Sequence, residues 1–190
     1  FKRAETLDPL SPVSPLFESI GRHMRGDFQG AIDAEQRVQA MAPGLFYLES
    51  RAGAGYRELG NLQASLQAYL TADKALGGTP QYGLPLTYAA LGRTDDARKE
   101  MRRLDDYAKT HYILFMGRAI VHARLGDMDG ALALLNGAVS HNESLMIMLA
   151  PLPEATPLMR DARARKLIED QIGRWPTLSG SIAAIKALPR

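Results

Sequence analysis

The sequence predicts an all-α fold, a right-handed superhelix of about four helix pairs closed by C-terminal capping helices, and three observations carry that prediction. First, four glycine-centred strings recur: Arg25-Gly26-Asp27-Phe28, Leu59-Gly60-Asn61-Leu62, Leu91-Gly92-Arg93-Thr94 and Leu125-Gly126-Asp127-Met128. Their glycines stand 34, 32 and 34 residues apart, and self-similarity at such a period marks stacked helical or related repeats. Second, a small residue follows each glycine by five positions, Ala31, Ser65, Ala97 and Ala131, where two helices can then approach closely. Third, a glycine takes the positive φ after a helix with the least strain, and a polar residue beyond it can cap the helix that follows. Asp27, Asn61, Thr94 and Asp127 are the caps expected on this reading.

The elements follow in order. Residues 1–12 form a lead-in segment and 13–141 hold the repeats, with helix pairs expected near 13–24 with 28–41 and 46–59 with 62–76. Two further pairs are expected near 84–91 with 94–109 and 112–125 with 128–140. In the third unit Gly77-Gly78-Thr79-Pro80 and Gly83-Leu84-Pro85 fall where its first helix should begin. Proline is tolerated only in a first helical turn, so that helix is expected to be short and to start near Leu84. Past His141 the repeat signal fades, and 142–175 reads as a capping region. A helix from Met159 to Ile172 places Leu167, Ile168 and Ile172 on one face and Arg160, Asp161, Arg163, Arg165 and Lys166 elsewhere. A solenoid needs such a cap to hide its last apolar face. Trp175-Pro176 marks a break, and in the tail 176–190 a further helix is expected from Ser179 to Leu188.

A period of about 34 is that of the tetratricopeptide repeat, a helix-turn-helix unit. That repeat usually carries a bulky residue nine places after the glycine, where this chain has Glu35, Tyr69, Met101 and Leu135. It favours tyrosine four places before, where the chain has Arg22, Tyr56, Tyr88 and His122. The second and third units match best and the first departs from the pattern.

Three longer runs then carry a family resemblance: Gly83-Leu84-Pro85 through Leu91-Gly92-Arg93-Thr94-Asp95-Asp96-Ala97-Arg98, Ala119 through Leu125-Gly126-Asp127-Met128-Asp129-Gly130-Ala131-Leu132, and Pro157-Leu158-Met159-Arg160-Asp161-Ala162-Arg163. Together they resemble the C-terminal tetratricopeptide region of bacterial multidomain signalling proteins, and Leu7-Asp8-Pro9-Leu10-Ser11-Pro12 looks like its usual lead-in. In that family an adenylate or guanylate cyclase, a winged-helix DNA-binding domain or a protein kinase precedes the repeats. Family members end close to Leu-Arg-x-Asp-Pro-Arg-Phe, whereas this chain lacks the proline and the aromatic residue at Ala162 and Ala164. The resemblance implies a regulatory, non-catalytic region that binds protein or self-associates, in the cytoplasm, or in the periplasm if it is attached to a membrane-spanning regulator. The start at Phe1-Lys2-Arg3, with no initiator methionine and no signal peptide, reads as part of a longer protein.

Composition narrows the function classes. The chain has 23 Lys plus Arg against 21 Asp plus Glu, a net charge of +2, so no broad positive field favours nucleic acid. With 0 Cys there is no disulfide framework, thiolate zinc site or cysteine nucleophile. No apolar run approaches the roughly 18 residues of a membrane span, the densest being Leu145 to Ala150. His23, His111, His122 and His141 are too scattered for a local metal motif, and His122 is first explained by packing at its tyrosine position. There is no Gly-x-Ser-x-Gly elbow, and Gly53-Ala54-Gly55 lies in a helical pattern where it reads as close helix packing. Arg25-Gly26-Asp27 spells an adhesion tripeptide but belongs to a repeat turn. From Arg93 to Lys109 basic and acidic residues alternate in a solvated face, with Asp95–Lys99 and Asp105–Lys109 as i,i+4 pairs. No cofactor is called for.

In such arrays the first helix of each pair lines the concave surface. The register gives Leu16, Ile20, His23 and Met24; Tyr47, Ser50, Ala54 and Arg57; Tyr82, Leu86 and Ala89; and Ile113, Met116, Ile120 and Arg124. The partner-groove candidates are Ile20, Tyr47, Arg57, Tyr82, Leu86, Met116, Ile120 and Arg124. On one reading they take an apolar or amphipathic protein segment, with Arg57 or Arg124 pairing an acidic residue. On the other they are buried against the terminal helices or a second copy. A small-molecule sensor using Tyr47, Tyr82 and Met116, and a part of an enzyme whose catalytic domain lies outside this segment, are the competing classes.

Overall fold

The structure is a computed structural model that describes residues 2–43, 47–143, 149 and 152–173. Trp175-Pro176 and the expected helix Ser179 to Leu188 lie outside these, as do most of Leu145 to Ala150 and the side chains of Tyr47 and Ser50. The described elements are helical: α1 (Lys2–Leu7), α2 (Val13–Met24), α3 (Phe28–Met41), α4 (Tyr47–Glu58), α5 (Leu62–Ala75) and α6 (Gly83–Ala90) come first. They are followed by α7 (Thr94–Tyr107), α8 (Phe115–Arg124), α9 (Met128–Ser140), a 3-10 turn (Pro153–Ala155), α10 (Thr156–Arg160) and α11 (Ala162–Gly173). The fold is all-α, and among the described residues no helix is long and apolar enough to cross a membrane.

The helix pairs repeat because their turns do. Gly26, Gly60, Gly92 and Gly126 have φ of 77°, 78°, 74° and 88°, the left-handed region that glycine enters freely. At each of them the glycine N–H donates three residues back, and the next N–H donates five residues back, to the carbonyls of Arg22, Tyr56, Tyr88 and His122. This is the double bond of a Schellman motif, which satisfies carbonyls a helix end would otherwise leave open. In three of the four turns it also brings the side chain four places before the glycine onto the one just after it. Arg22 bonds Asp27 at 2.5 Å, His122 bonds Asp127 at 2.7 Å, and the Arg93 guanidinium lies 4.5 Å over the Tyr88 ring. The residue after the glycine then caps the next helix, Asp27 accepting from Gly30, Asn61 from Ala64 and Asp127 from Gly130. Thr94 departs from its expected role, being the first residue of α7 rather than the residue before it.

The chain divides into two compact units, Phe1–Arg93 and Thr94–Arg190, and the boundary falls inside the third expected helix pair. In the first unit α2 packs on α3, α3 on α4, α4 on α5, and α6 on both α4 and α5. The small residues expected at close approaches, Ala31 and Ser65, are buried. Gly53 and Gly55 make close helix packing possible, since a Cβ on Gly53 would meet the Tyr69 ring at 2.8 Å and one on Gly55 would meet Ile32 at 2.9 Å. In the second unit Ala97 and Ala131 are buried in the same way. There α8 packs against α7, α9, α10 and the 3-10 turn, and α11 packs on α9 and α10. Leu158, Met159, Ala164 and Ile168 are buried in that closure.

Two expected boundaries move, each for a local reason. The helix expected from 112 starts at Phe115, because Leu114 is extended (φ −50°, ψ 122°) and Glu143 accepts from the Phe115 and Met116 N–H groups at 2.7 and 3.1 Å. The helix expected from Met159 to Ile172 is two helices, because Asp161 is extended (ψ 124°) and its Oδ1 accepts from the Arg163 and Ala164 N–H groups. Asp161 is a cap rather than one of the charges on a continuous polar face.

Candidate functional site

Each unit carries one notable arrangement, and that of the first unit starts from a misplaced polarity. In an ordinary surface helix the apolar stripe faces the core. In α2 the stripe is Val13, Phe17, Ile20 and Met24, at i, i+4, i+7 and i+11, yet the buried residues are Ser14, Pro15, Ser19 and His23. Val13 and Phe17 are 53% and 52% exposed, and Leu7 and Leu10 just before them are 79% and 84% exposed.

The cause lies inward. Glu35 occupies the position that is bulky and apolar in a regular repeat and is buried. Its carboxylate accepts from the Ser19 hydroxyl at 2.8 Å and lies 3.3 Å from Arg51 Nε, and Arg51 also donates to Ser19 at 3.2 Å. A buried charge must be paired and hydrogen-bonded, so this face of α2 has to be polar. The apolar stripe is rotated outward as a result.

The candidates read from the register divide sharply. Ile20 is half-buried on the α2 stripe, and Tyr82 is half-buried before α6. Arg124 is exposed in the last turn of α8. Tyr47 belongs to α4, and its side chain lies outside the described residues. Leu86, Met116 and Ile120 are core side chains and offer no surface to a partner, which corrects the expectation for all three. Met116 and Ile120 stand on α8, whose expected open face is covered when the segment after α9 returns as the 3-10 turn and α10. Arg57 is also buried, with its guanidinium 3.3 Å from Glu58 and 3.5 Å from the Tyr69 hydroxyl, so it serves the interior of the first unit. Val13, Phe17 and Leu10 were not among the candidates, although the first two share the helical spacing of Ile20.

In the second unit the charges of α7 are organised rather than merely solvated. Asp105 does not pair with Lys109, which bonds Asp106 at 2.7 Å. It accepts from Arg118 at 2.9 Å and lies 3.0 Å from His122 Nε2, while His122 Nδ1 lies 2.7 Å from Asp127. His122 therefore stands between two carboxylates. Its pKa is raised by the Asp105 hydrogen bond, against the lowering effect of burial and with further help from Asp127. Burial works to raise the Asp105 pKa, but hydrogen bonds from His122 and Arg118 outweigh it and hold the carboxyl below its usual value. The His122 hydrogen bond, followed by that of the Gly130 N–H, does the same for Asp127.

The signs fix a pH window. Stabilisation from a raised His122 pKa is complete below the unfolded histidine value of about 6.5 and is lost as pH rises through the folded value. Stabilisation from the lowered carboxylates is complete above about 4 and is lost as pH falls through their folded values. Neutral imidazole has one N–H and can satisfy one carboxylate of the two. His122→Gln is thus expected to cost about 1–2 kcal/mol at pH 5.5 and less at alkaline pH, once the imidazole has lost its proton. Urea unfolding of both proteins at the two pH values measures this, and an equal loss at both would refute it.

No protein-family model matches the chain, and no curated protein matches it.

Proposed function

We propose that this chain is a non-catalytic protein-interaction module built from tetratricopeptide-type helix pairs, and that the outward stripe of α2 is where it docks. The observation that carries the reading is the inverted polarity of α2: Val13 and Phe17 are more than half exposed while Ser14 and Ser19 are buried. Contiguous apolar surface of this kind on a water-facing helix is the usual mark of a docking surface. The occupant that fits it is an apolar or amphipathic helical segment of a partner protein laid along the stripe. The four turns with one hydrogen-bond pattern support the repeat assignment. The family resemblance supplies the setting, a cytoplasmic regulatory region following an N-terminal effector that would hold any catalysis.

The test uses variants that leave the buried polar core alone. Phe17→Asp and Val13→Asp alter exposed positions and are expected to keep the helical circular dichroism signal. Fluorescence anisotropy against a panel of amphipathic helical peptides is expected to show binding weakened at least tenfold by Phe17→Asp, the loss typical of an aromatic anchor. Sedimentation velocity on the same proteins reads self-association. If no peptide distinguishes wild type from variant and both sediment as monomers, the docking reading fails.

A further inference from the structure

A second site lies in the second unit, apart from the α2 stripe. The turn from α7 into α8 and the end of α9 form an open cleft of about 270 Å³, lined by residues 108–113 together with Phe115, Arg118 and His141. The cleft is a little smaller than the roughly 300 Å³ at which the range of ligand sites begins, which restricts it to a small ligand.

Its chemistry is one-sided. Lys109, Arg118, His111 and His141 line it with the Thr110 hydroxyl, while the Tyr112 hydroxyl donates to Glu143; the acids that meet these groups, Asp105, Asp106 and Glu143, are not among the lining residues. Arg118 is anchored from behind by Asp105, at 2.8 and 2.9 Å, which fixes its guanidinium near the Phe115 ring, 5.9 Å from the centroid. Lys109 is held only by Asp106, in a pair whose two side chains are both mostly exposed. Exposed pairs of that kind contribute little and exchange readily. The Thr110 hydroxyl lies 2.9 Å from His111 Nδ1. When it donates there, His111 Nε2 carries the ring proton and becomes a donor.

An apolar platform adjoins these donors. His141 packs on Phe115 with centroids 4.8 Å apart, and its Nδ1 donates to the Gly137 carbonyl at 2.9 Å. The Phe115 ring owes its place to Gly137, where a Cβ would lie 2.7 Å from it. Ile113 completes the apolar lining.

We infer that this cleft binds a small anion carrying a planar ring, an aryl carboxylate or aryl phosphate, with its ring against Phe115 and Ile113 and its anionic group on Lys109 and His111. Arg118 is committed to Asp105, whereas the exposed Lys109–Asp106 pair can exchange for a bound anion, and Lys109 with His111 then supplies the charge-assisted donors. Phe115, already packed on His141, and Ile113 give the ring an apolar surface beside these donors.

Calorimetric titration of the whole chain with benzoate, phenyl phosphate, inorganic phosphate and benzyl alcohol tests the inference. Benzoate or phenyl phosphate is expected to bind at least tenfold more tightly than inorganic phosphate or benzyl alcohol, and whichever is tighter identifies the anionic group. Lys109→Glu and His111→Glu, both at exposed positions, are each expected to weaken the tighter probe at least tenfold with unchanged circular dichroism. The inference is overturned if no probe binds at millimolar concentration, if ring and ringless anions bind alike, or if both variants bind as wild type does.

Discussion

Gly83→Ala is expected to destabilise the first unit by about 2–3 kcal/mol, a large effect for one methyl group. Tyr69 leaves α5 and enters a slot with a glycine on each side, Gly53 of α4 and Gly83 of α6, and a Cβ at Gly83 would overlap its ring and hydroxyl. The ring cannot retreat easily, because it is buried in one cluster with Leu66 and Leu84, and Tyr88 and Leu91 pack against that cluster. The helices cannot easily part either. The Ser65 and Thr87 hydroxyls are 2.9 Å apart, and they reach the Gly53 and Gly83 carbonyls at 2.7 and 3.0 Å. Tyr69→Ala is expected to cost about 3–5 kcal/mol through the cavity it leaves. The decisive measurement is a double-mutant cycle by urea unfolding. Gly83→Ala combined with Tyr69→Leu should be at least about 1 kcal/mol better than the sum of the single losses, because the smaller side chain makes room for the methyl group. Additive losses would mean that the slot is not the source of the effect.

Glu143→Ala is expected to cost about 2–3 kcal/mol in the second unit. Glu143 is buried beyond the end of α9 and accepts three hydrogen bonds at the start of α8: from the Tyr112 hydroxyl, at 2.7 Å, and from the Phe115 and Met116 N–H groups. The first N–H groups of a helix have no partner within it, and a carboxylate there also meets the positive end of the helix dipole. Alanine strands both N–H groups. Glutamine keeps one acceptor oxygen but turns an NH2 toward the other donor, so Glu143→Gln should lose roughly half as much. Tyr112→Phe removes the exposed partner only and should lose under about 0.5 kcal/mol. Chemical unfolding of the three variants gives the ranking, and a Glu143→Ala protein as stable as Tyr112→Phe would refute the capping role.

These two sites show which parts of the molecule could be read from the sequence. The helix pairs and their turns were legible, because glycine, cap and small residue recur at fixed offsets and act within a few positions of one another. The start of α8 was not, because its cap comes from Glu143, 28 residues beyond Phe115, and no periodicity links them. Met116 and Ile120 were misread for a related reason. Their spacing does place them on one face of a helix, but spacing says nothing of a later segment folding back over that face. The α2 stripe was half legible. Ile20 came from the repeat register, while the exposure of Val13 and Phe17 depends on Glu35, whose departure from the pattern was visible and whose structural consequence was not.

The shared turn geometry has an evolutionary consequence. The backbone bonds after each helix bring the residues four before and one after the glycine together, and in three of the four turns their side chains meet as a pair: arginine with aspartate, tyrosine with arginine, histidine with aspartate. A lone exchange leaves a mismatched partner, whereas a joint exchange leaves the backbone unaware of it. The repeats can therefore diverge in sequence two residues at a time while the turn that spaces them stays the same.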